Sequence, residues 1–220
     1  MQASDLISRS LISLHPDDDG LRAISLMEEL RVNHLPVVRN GFYLGILSEK
    51  EILNWDNEEE FIEEHLEEIT APSVIGTQHL FDIIEELEKF SLTVIPVLDE
   101  EKHYLGSITN RKLLYTIAKS TSIQSNGGVI VLRMNQNDYQ MSEIARIVED
   151  NNTKILSSYI TSIPDALQIE LTLKLNTMDI NSIVKDLERF DYNVSASFNT
   201  EETNDDFTDR YESLMRFLNP

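Results

Sequence analysis

The sequence predicts a mixed chain, α+β in class with α/β character: a short unit that occurs twice, then a third unit of different order. Three observations predict it. Residues 44–53, LGILSEKEIL, return in altered form at residues 105–114, LGSITNRKLL. Setting Pro36 on Pro96 also lays ISLHPDDDGLRAISLMEELRVNHLPVV over PSVIGTQHLFDIIEELEKFSLTVIPVL, so the repetition extends well upstream. After a Ser-, Asn- and Gly-rich break at KSTSIQSNGG, helical spacing and strict alternation give the order β-α-β-β-α-β.

Each element of the two copies has a local reason. Leu21, Ile24, Met27 and Leu30 fall on Phe81, Ile84, Leu87 and Phe90, a spacing that predicts one apolar helix face per copy. Asp17-Asp18-Asp19 and Thr77 stand where N-caps belong, their oxygens able to accept the helix's free N–H groups. An X-Pro step then enters a short β-branched run, LPVV or IPVL, since proline is tolerated at a strand's first residue or edge. A turn, RNGF or DEEKHY, leads to a second strand, LGIL or LGSI, and a short helix follows, EKEILNW or NRKLLYTIAK. Each copy therefore reads strand, helix, strand, strand, helix.

Between the copies DNEEEFIEEHLEEI reads as a solvated acidic helix with Phe61, Ile62, Leu66 and Ile69 as its buried stripe. In the third unit VIVLRM is a strand. Met141, Ile144, Ala145 and Val148 mark a helix, and Pro164-Asp165 a turn between KILSSYITSI and DALQIELTLKLN. In the latter Leu167, Ile169, Leu171, Leu173 and Leu175 alternate with polar residues, the mark of a strand with one face on a core and one toward water or a partner sheet. Ile180, Ile183, Val184 and Leu187 mark the second helix and YNVSASF the closing strand. Past the polar NTEETNDDFTD, Tyr211, Leu214, Met215 and Leu218 share a helix face that must dock on this chain or a partner, because so short a helix is marginal alone. The expected organisation is 1–58 for the first copy and 59–120 for the connecting helix and second copy. A linker at 121–128, the βαββαβ unit at 129–199 and an acidic tail with its amphipathic helix at 200–220 complete it.

Composition narrows the function classes. Of the residues 41% are hydrophobic and 26% charged, ordinary for a globular protein, but the net charge of -21 is not. So acidic a surface repels nucleic acid and anionic lipid, which argues against both as partners; a small anionic ligand depends on local groups instead. No cysteine is present, which removes disulfides, thiolate metal sites and a cysteine nucleophile together and fits a reducing cytoplasm. No stretch approaches the ~20 apolar residues of a membrane span, so a soluble cytoplasmic protein is expected. His15, His34, His65, His79 and His103 form no His-x-x-x-His pair, and neither a Gly-x-Ser-x-Gly elbow nor a Walker loop occurs. No catalytic or metal-binding residue is assigned, and enzymatic activity is not expected.

The stretches HLPVVRNGFYLGILSEKEI and VIPVLDEEKHYLGSITNRKL resemble cystathionine-β-synthase (CBS) domains, and the βαββαβ unit resembles an ACT domain. Together they resemble CBS–ACT proteins of the acetoin-utilization type. The resemblance implies tandem CBS domains pairing through their sheets, followed by a ferredoxin-like ACT domain, with homodimers formed through both parts. It also implies clefts between the copies that hold adenosine nucleotides: AMP, ADP, ATP or S-adenosylmethionine. Glycine, two apolar residues, Ser or Thr, two variable residues and Asp form the binding pattern, the hydroxyl serving phosphate and the carboxylate the ribose hydroxyls. Carried onto this chain, the nucleotide-binding residues are Leu14, His15, Leu35, Pro36, Ser48, Lys50 and Glu51, with Thr109 and Arg111 from the second copy. Glu51 is one methylene longer than the pattern's Asp, and the second copy has Lys112 there, which has no acceptor at all. For each residue a structural role stands beside the binding role: Ser48 and Thr109 precede helices and can cap them, and Leu35 and Pro36 can be core. In the ACT-like unit the resemblance points to a small effector at the first strand–helix loop, where Asn135, Asn137 and Asp138 offer polar contacts or simply form the turn and cap the helix. Tyr139 falls where effector-binding members tend to have glycine.

Overall fold

The computed structural model describes residues 1–8, 11–163 and 167–199. The chain divides into two compact units, Met1–Ile117 and Ala118–Pro220. In the first unit the elements run α1 (Gly20–Leu30), β1 (His34–Arg39), β2 (Phe42–Ser48), α2 (Glu49–Ile52), β3 (Val74–Ile75), α3 (Leu80–Lys89), β4 (Val94–Leu98), β5 (Tyr104–Thr109) and α4 (Asn110–Ser120), whose last turn runs into the second unit. β1 pairs antiparallel with β2, and β4 with β5; both ladders slip by a bulge at corresponding positions, Val37/Val38 and Val97/Leu98. β3 adds to β4 in parallel, with Val74 opposite Val97. In the first copy that strand shrinks to one residue, Leu14, bridged to Val37 by hydrogen bonds from Leu14 N to Pro36 O (2.8 Å) and from Val38 N to Leu14 O (2.9 Å).

The helices form where expected and bury Met27 and Leu87 as expected, but the earlier turns of their buried faces sit one residue sooner. α1 buries Gly20, Ala23 and Met27 and α3 buries Leu80, Ile83 and Leu87, while Leu21 and Phe81 are exposed. A close approach explains the first case: a Cβ on Gly20 would lie within 3 Å of the Glu58 carbonyl, Ile52 and Trp55, so only glycine fits there and the bulkier Leu21 turns outward. Asp19 caps α1, its Oδ1 accepting from Arg22 N at 2.7 Å. α3 is capped by His79, not Thr77: its Nδ1 accepts from Phe81 N, and its own N–H donates to Asp82 at 2.9 Å.

The acidic connector is not the expected α-helix. It turns, with a single 3₁₀ turn at Ile62–His65. Its backbone is engaged elsewhere: Ile62 N donates to Asp18 O and Glu63 N to Pro16 O, while Glu60 O and Glu58 O accept from Gly20 N and Leu21 N. These bonds tie it to the loop before α1 and to the first turn of α1. Ile62 is buried, whereas Phe61 is about half exposed.

The copies exchange their leading segments. Ile69 and Thr70, which precede the second copy, cross β2 of the first: Ile46 N donates to Thr70 O (2.9 Å), and a Cβ on Gly45 would lie 2.5 Å from Ile69 Cγ2. Ile7 and Ser8, at the start of the first copy, cross β5 of the second, where Ser8 N donates to Ser107 O (2.8 Å) and a Cβ on Gly106 would overlap Ile7. Gly106 also has φ +143°, a region side chains avoid. The sheets then meet at two ends. At one, Asn33 and His34 contact Thr93; at the other, Phe42 stands against His103 with ring centroids 4.7 Å apart.

In the second unit β6 (Val129–Asn135), α5 (Met141–Asp150), β7 (Ile155–Ser162), β8 (Gln168–Leu175), α6 (Asn181–Arg189) and β9 (Asn193–Phe198) follow the expected order. The antiparallel sheet runs β7-β8-β6-β9, the ferredoxin-like arrangement. Its core joins Ile130 and Leu132, Ile144, Ile147 and Val148, Leu171, Leu173 and Leu175, and Ile180, Ile183 and Leu187. Leu167 lies outside β8 and is exposed, so the buried alternation begins at Ile169. Pro164-Asp165 and the C-terminal amphipathic segment lie outside the described residues. Among the described residues no helix is long and apolar enough to cross a membrane.

Candidate functional site

β2 delivers its motif to the start of α2. Ser48 is the N-cap, and Glu51, three residues on, closes a capping box. Glu51 N donates to Ser48 Oγ at 3.2 Å, while Ser48 N and Ser48 Oγ both donate to Glu51 Oε2, at 2.7 and 2.6 Å. Both readings of these residues therefore meet at one carboxylate: it serves the helix terminus, and it also lines a cavity. The second copy repeats half of the arrangement, with Thr109 Oγ1 accepting from Lys112 N at 3.1 Å. Lys112 returns no acceptor.

The cavity, about 280 Å³, lies between α2 and the connector and is lined by Leu47, Glu51, Asn54, Trp55, His65, Glu68 and Ile69. The Trp55 and His65 rings stack at 3.9 Å with planes 5° apart. His65 Nε2 stands 2.7 Å from Glu60 Oε2, and its Nδ1 is 3.8 Å from Glu68. Asn54 is held by donating to Lys50 O at 2.8 Å. Trp55 and its stacking partner were not legible as site residues, because the contact needs the connector folded back as turns.

The remaining expected residues divide. Leu14, Leu35 and Pro36 are buried: Leu14 and Leu35 in the first copy's core, Pro36 within the ladder opposite Ile46. They do not line the cavity. His15 is exposed, its N–H donating to Asp18 at 2.8 Å. Lys50 and Arg111 are exposed. The cavity brings in Glu51 but none of Thr109, Arg111, Lys50 or His15.

His34 sits on the seam between the copies. Thr93 N donates to its Nδ1 at 3.2 Å and Thr93 Oγ1 stands 3.0 Å away; Thr93 Oγ1 also accepts from Asn33 N at 3.0 Å. An acceptor at Nδ1 places the ring proton on Nε2 and makes the ring neutral. Burial pushes its pKa below the ordinary value, partly offset by the Glu51 carboxylate.

In the second unit Asn135 Nδ2 donates to Asp138 Oδ2 at 2.9 Å across a 3₁₀ turn, Gln136–Asp138. These residues form the turn but do not cap α5, whose N-cap Gln140 makes no side-chain cap bond. Tyr139 packs against the core instead of opening a pocket. Asn135 and Asp138 border a cavity of about 450 Å³ with Arg133, Glu143 and Tyr192. Asn137 lines a smaller neighbour of about 190 Å³. Tyr192 donates to Glu143 Oε2 at 2.8 Å, and its pKa is pushed up to about 12, chiefly by burial and then by that carboxylate.

Comparison with known proteins places this geometry. Residues 3–58 match the CBS domain family. The second copy repeats their ladder, bulge and crossing glycine, so the first unit holds that fold twice; the second unit has ferredoxin-like order. A curated relative, the uncharacterized protein MJ0188 of Methanocaldococcus jannaschii, is 24% identical over 124 residues, 56% of this chain and 46% of its own length. The chain spans less than half the length of the curated relatives it matches. Among solved structures, a CBS domain pair/ACT domain protein from Thermotoga maritima aligns at TM-score 0.48 and 14% identity, covering 54% of this chain and 98% of its own. The CBS domain pair of protein MJ0100, in complex with 5′-methylthioadenosine and S-adenosyl-L-methionine, aligns at 0.45 and 19%, covering 54% of this chain and 97% of its own.

Proposed function

We propose that this CBS-pair chain is a non-enzymatic, ligand-sensing regulator of the cytoplasm that binds an adenosine ligand, from AMP, ADP, ATP and S-adenosylmethionine, through the first copy's motif. One observation carries the reading. Glu51, at the position of the motif's ribose acceptor, borders a cavity with an aromatic wall. Its Oε1 takes no part in the capping box and can accept from a ribose hydroxyl. The second copy has a cation at that place, so one site per chain is expected. Calorimetry with the four ligands tests this: Glu51→Ala abolishes the heat and Lys112→Ala leaves it nearly intact. Silence from every ligand at millimolar concentration would end the reading.

A second reading has its own observation. Leu14, Leu35 and Pro36 are buried in the core and the ladder, and Lys112 stands where an acceptor is expected, as in a degenerate cleft. The chain would then serve as an oligomeric interaction scaffold, a homodimer through its CBS and ACT-like parts. Light scattering of the full chain and of a chain ending at Thr200 tests it; monomers in both would sink it.

A further inference from the structure

We infer that the Ser48–Glu51 site selects adenosine ligands that carry no phosphate, such as adenosine, its thioethers and its sulfonium cation, against AMP, ADP and ATP. The inference rests on the reading that an adenosine ligand binds there, and it narrows the class of that ligand. Phosphate needs N–H and O–H donors. At the end of β2 the motif offers two, Ser48 N–H and Ser48 Oγ–H, and both already donate to Glu51 Oε2, at 2.7 and 2.6 Å. The carboxylate is thus a resident anion, covalently tethered three residues away, which gives it a high effective concentration against any free competitor. A phosphate at the same donors would also lie within hydrogen-bonding range of that carboxylate, and two anions sharing a site disfavour each other's charge.

The surroundings reinforce the exclusion. Glu68 lines the same cavity, and His65, the one lining side chain able to become cationic, faces Glu60 at 2.7 Å and Glu68 at 3.8 Å. Lys50 is exposed, where solvent screens its charge. A neutral or cationic nucleoside meets none of these penalties. Glu51 Oε1 remains for a ribose hydroxyl, Trp55 and His65 supply aromatic surface, and the cavity of about 280 Å³ has neither lysine nor arginine in its lining to meet an oligophosphate.

Calorimetry on the full chain at one ionic strength, with adenosine, 5′-methylthioadenosine, S-adenosylmethionine, AMP and ATP, tests the inference. AMP and ATP are expected to bind at least about tenfold more weakly than adenosine. Glu51→Gln keeps an acceptor for Ser48 N–H and for ribose but removes the charge, and should shrink that ratio to about threefold or less. Its fold is checked by circular dichroism; if it fails to fold, the wild-type ratio alone decides. AMP binding as tightly as adenosine, or a ratio unmoved in a folded Glu51→Gln, overturns the selectivity while leaving the site in place. No binding by any of the five overturns the site itself, and the selectivity with it.

Discussion

His34 shows how much a single side chain does at the seam. Its Nδ1 serves as acceptor for Thr93 N–H, so protonation would set an N–H against an N–H and separate the copies at that end. The sign of the pH dependence follows from the lowered pKa. Below about pH 6.5 the unfolded chain takes a proton that the folded chain refuses. Stability therefore declines as pH falls from there toward the folded pKa, levels off below it, and is untouched above. Denaturation midpoints measured between about pH 7 and pH 5 should fall more steeply for wild type than for His34→Gln, which keeps an acceptor for Thr93 but does not titrate. Equal slopes would remove His34 from the pH response. Sequence pattern found Ser48, Glu51 and Thr109 but left capping and ligand binding open, because one hydroxyl at a strand end suits both. Only the hydrogen bonds show that Ser48 is already spent on its helix.

At the scale of elements, the crossing segments bind the two copies to each other. Gly45 and Gly106 exist to let Ile69 and Ile7 pass. Gly45→Ala would put its Cβ 2.5 Å from Ile69 Cγ2 and 3.0 Å from the Thr70 carbonyl. Overpacking of this kind costs about 1–3 kcal/mol. Urea denaturation of Gly45→Ala should show such a loss, and a loss under about 0.5 kcal/mol would mean that the connector yields freely. Glycine at both places was legible as repetition, yet its reason was not, since each crossing partner lies in the other copy's leader. The same limit explains the connector. Its acidic periodicity reads as a helix, but Glu58, Glu60, Ile62 and Glu63 give their backbone groups to the first turn of α1 and the loop before it, a partner roughly forty residues upstream that local spacing cannot reveal. The one-residue shift in the faces of α1 and α3 has a related cause. Counting large apolar residues favours Leu21 and Phe81, while in α1 the connector's Glu58 carbonyl and Trp55 come so close that Gly20 must face them, and α3 turns Leu80 and Ile83 inward.

Across the whole molecule, the two units have separate cores. Val94 and Ile95 belong to the clusters of the first unit; Leu132 and Leu171 belong to the second. Separate cores predict separable unfolding, and the sequence supplies its own reporter: the single tryptophan, Trp55, lies in the first unit. Leu132 is fully buried, so Leu132→Ala removes apolar contact and leaves a cavity, at a cost of about 2–5 kcal/mol. If the cores are independent, that loss lowers the unfolding midpoint seen by far-ultraviolet circular dichroism, which reports both units, while the Trp55 fluorescence transition stays where it was. Val97→Ala, buried in the first unit, should do the reverse and shift the fluorescence transition. A Trp55 transition that moves with Leu132→Ala would show the two units unfolding as one. Ligand binding at the first unit could then be read by the ferredoxin-like second unit through stability alone, because anything that binds only the folded state raises the stability of every part that unfolds with it.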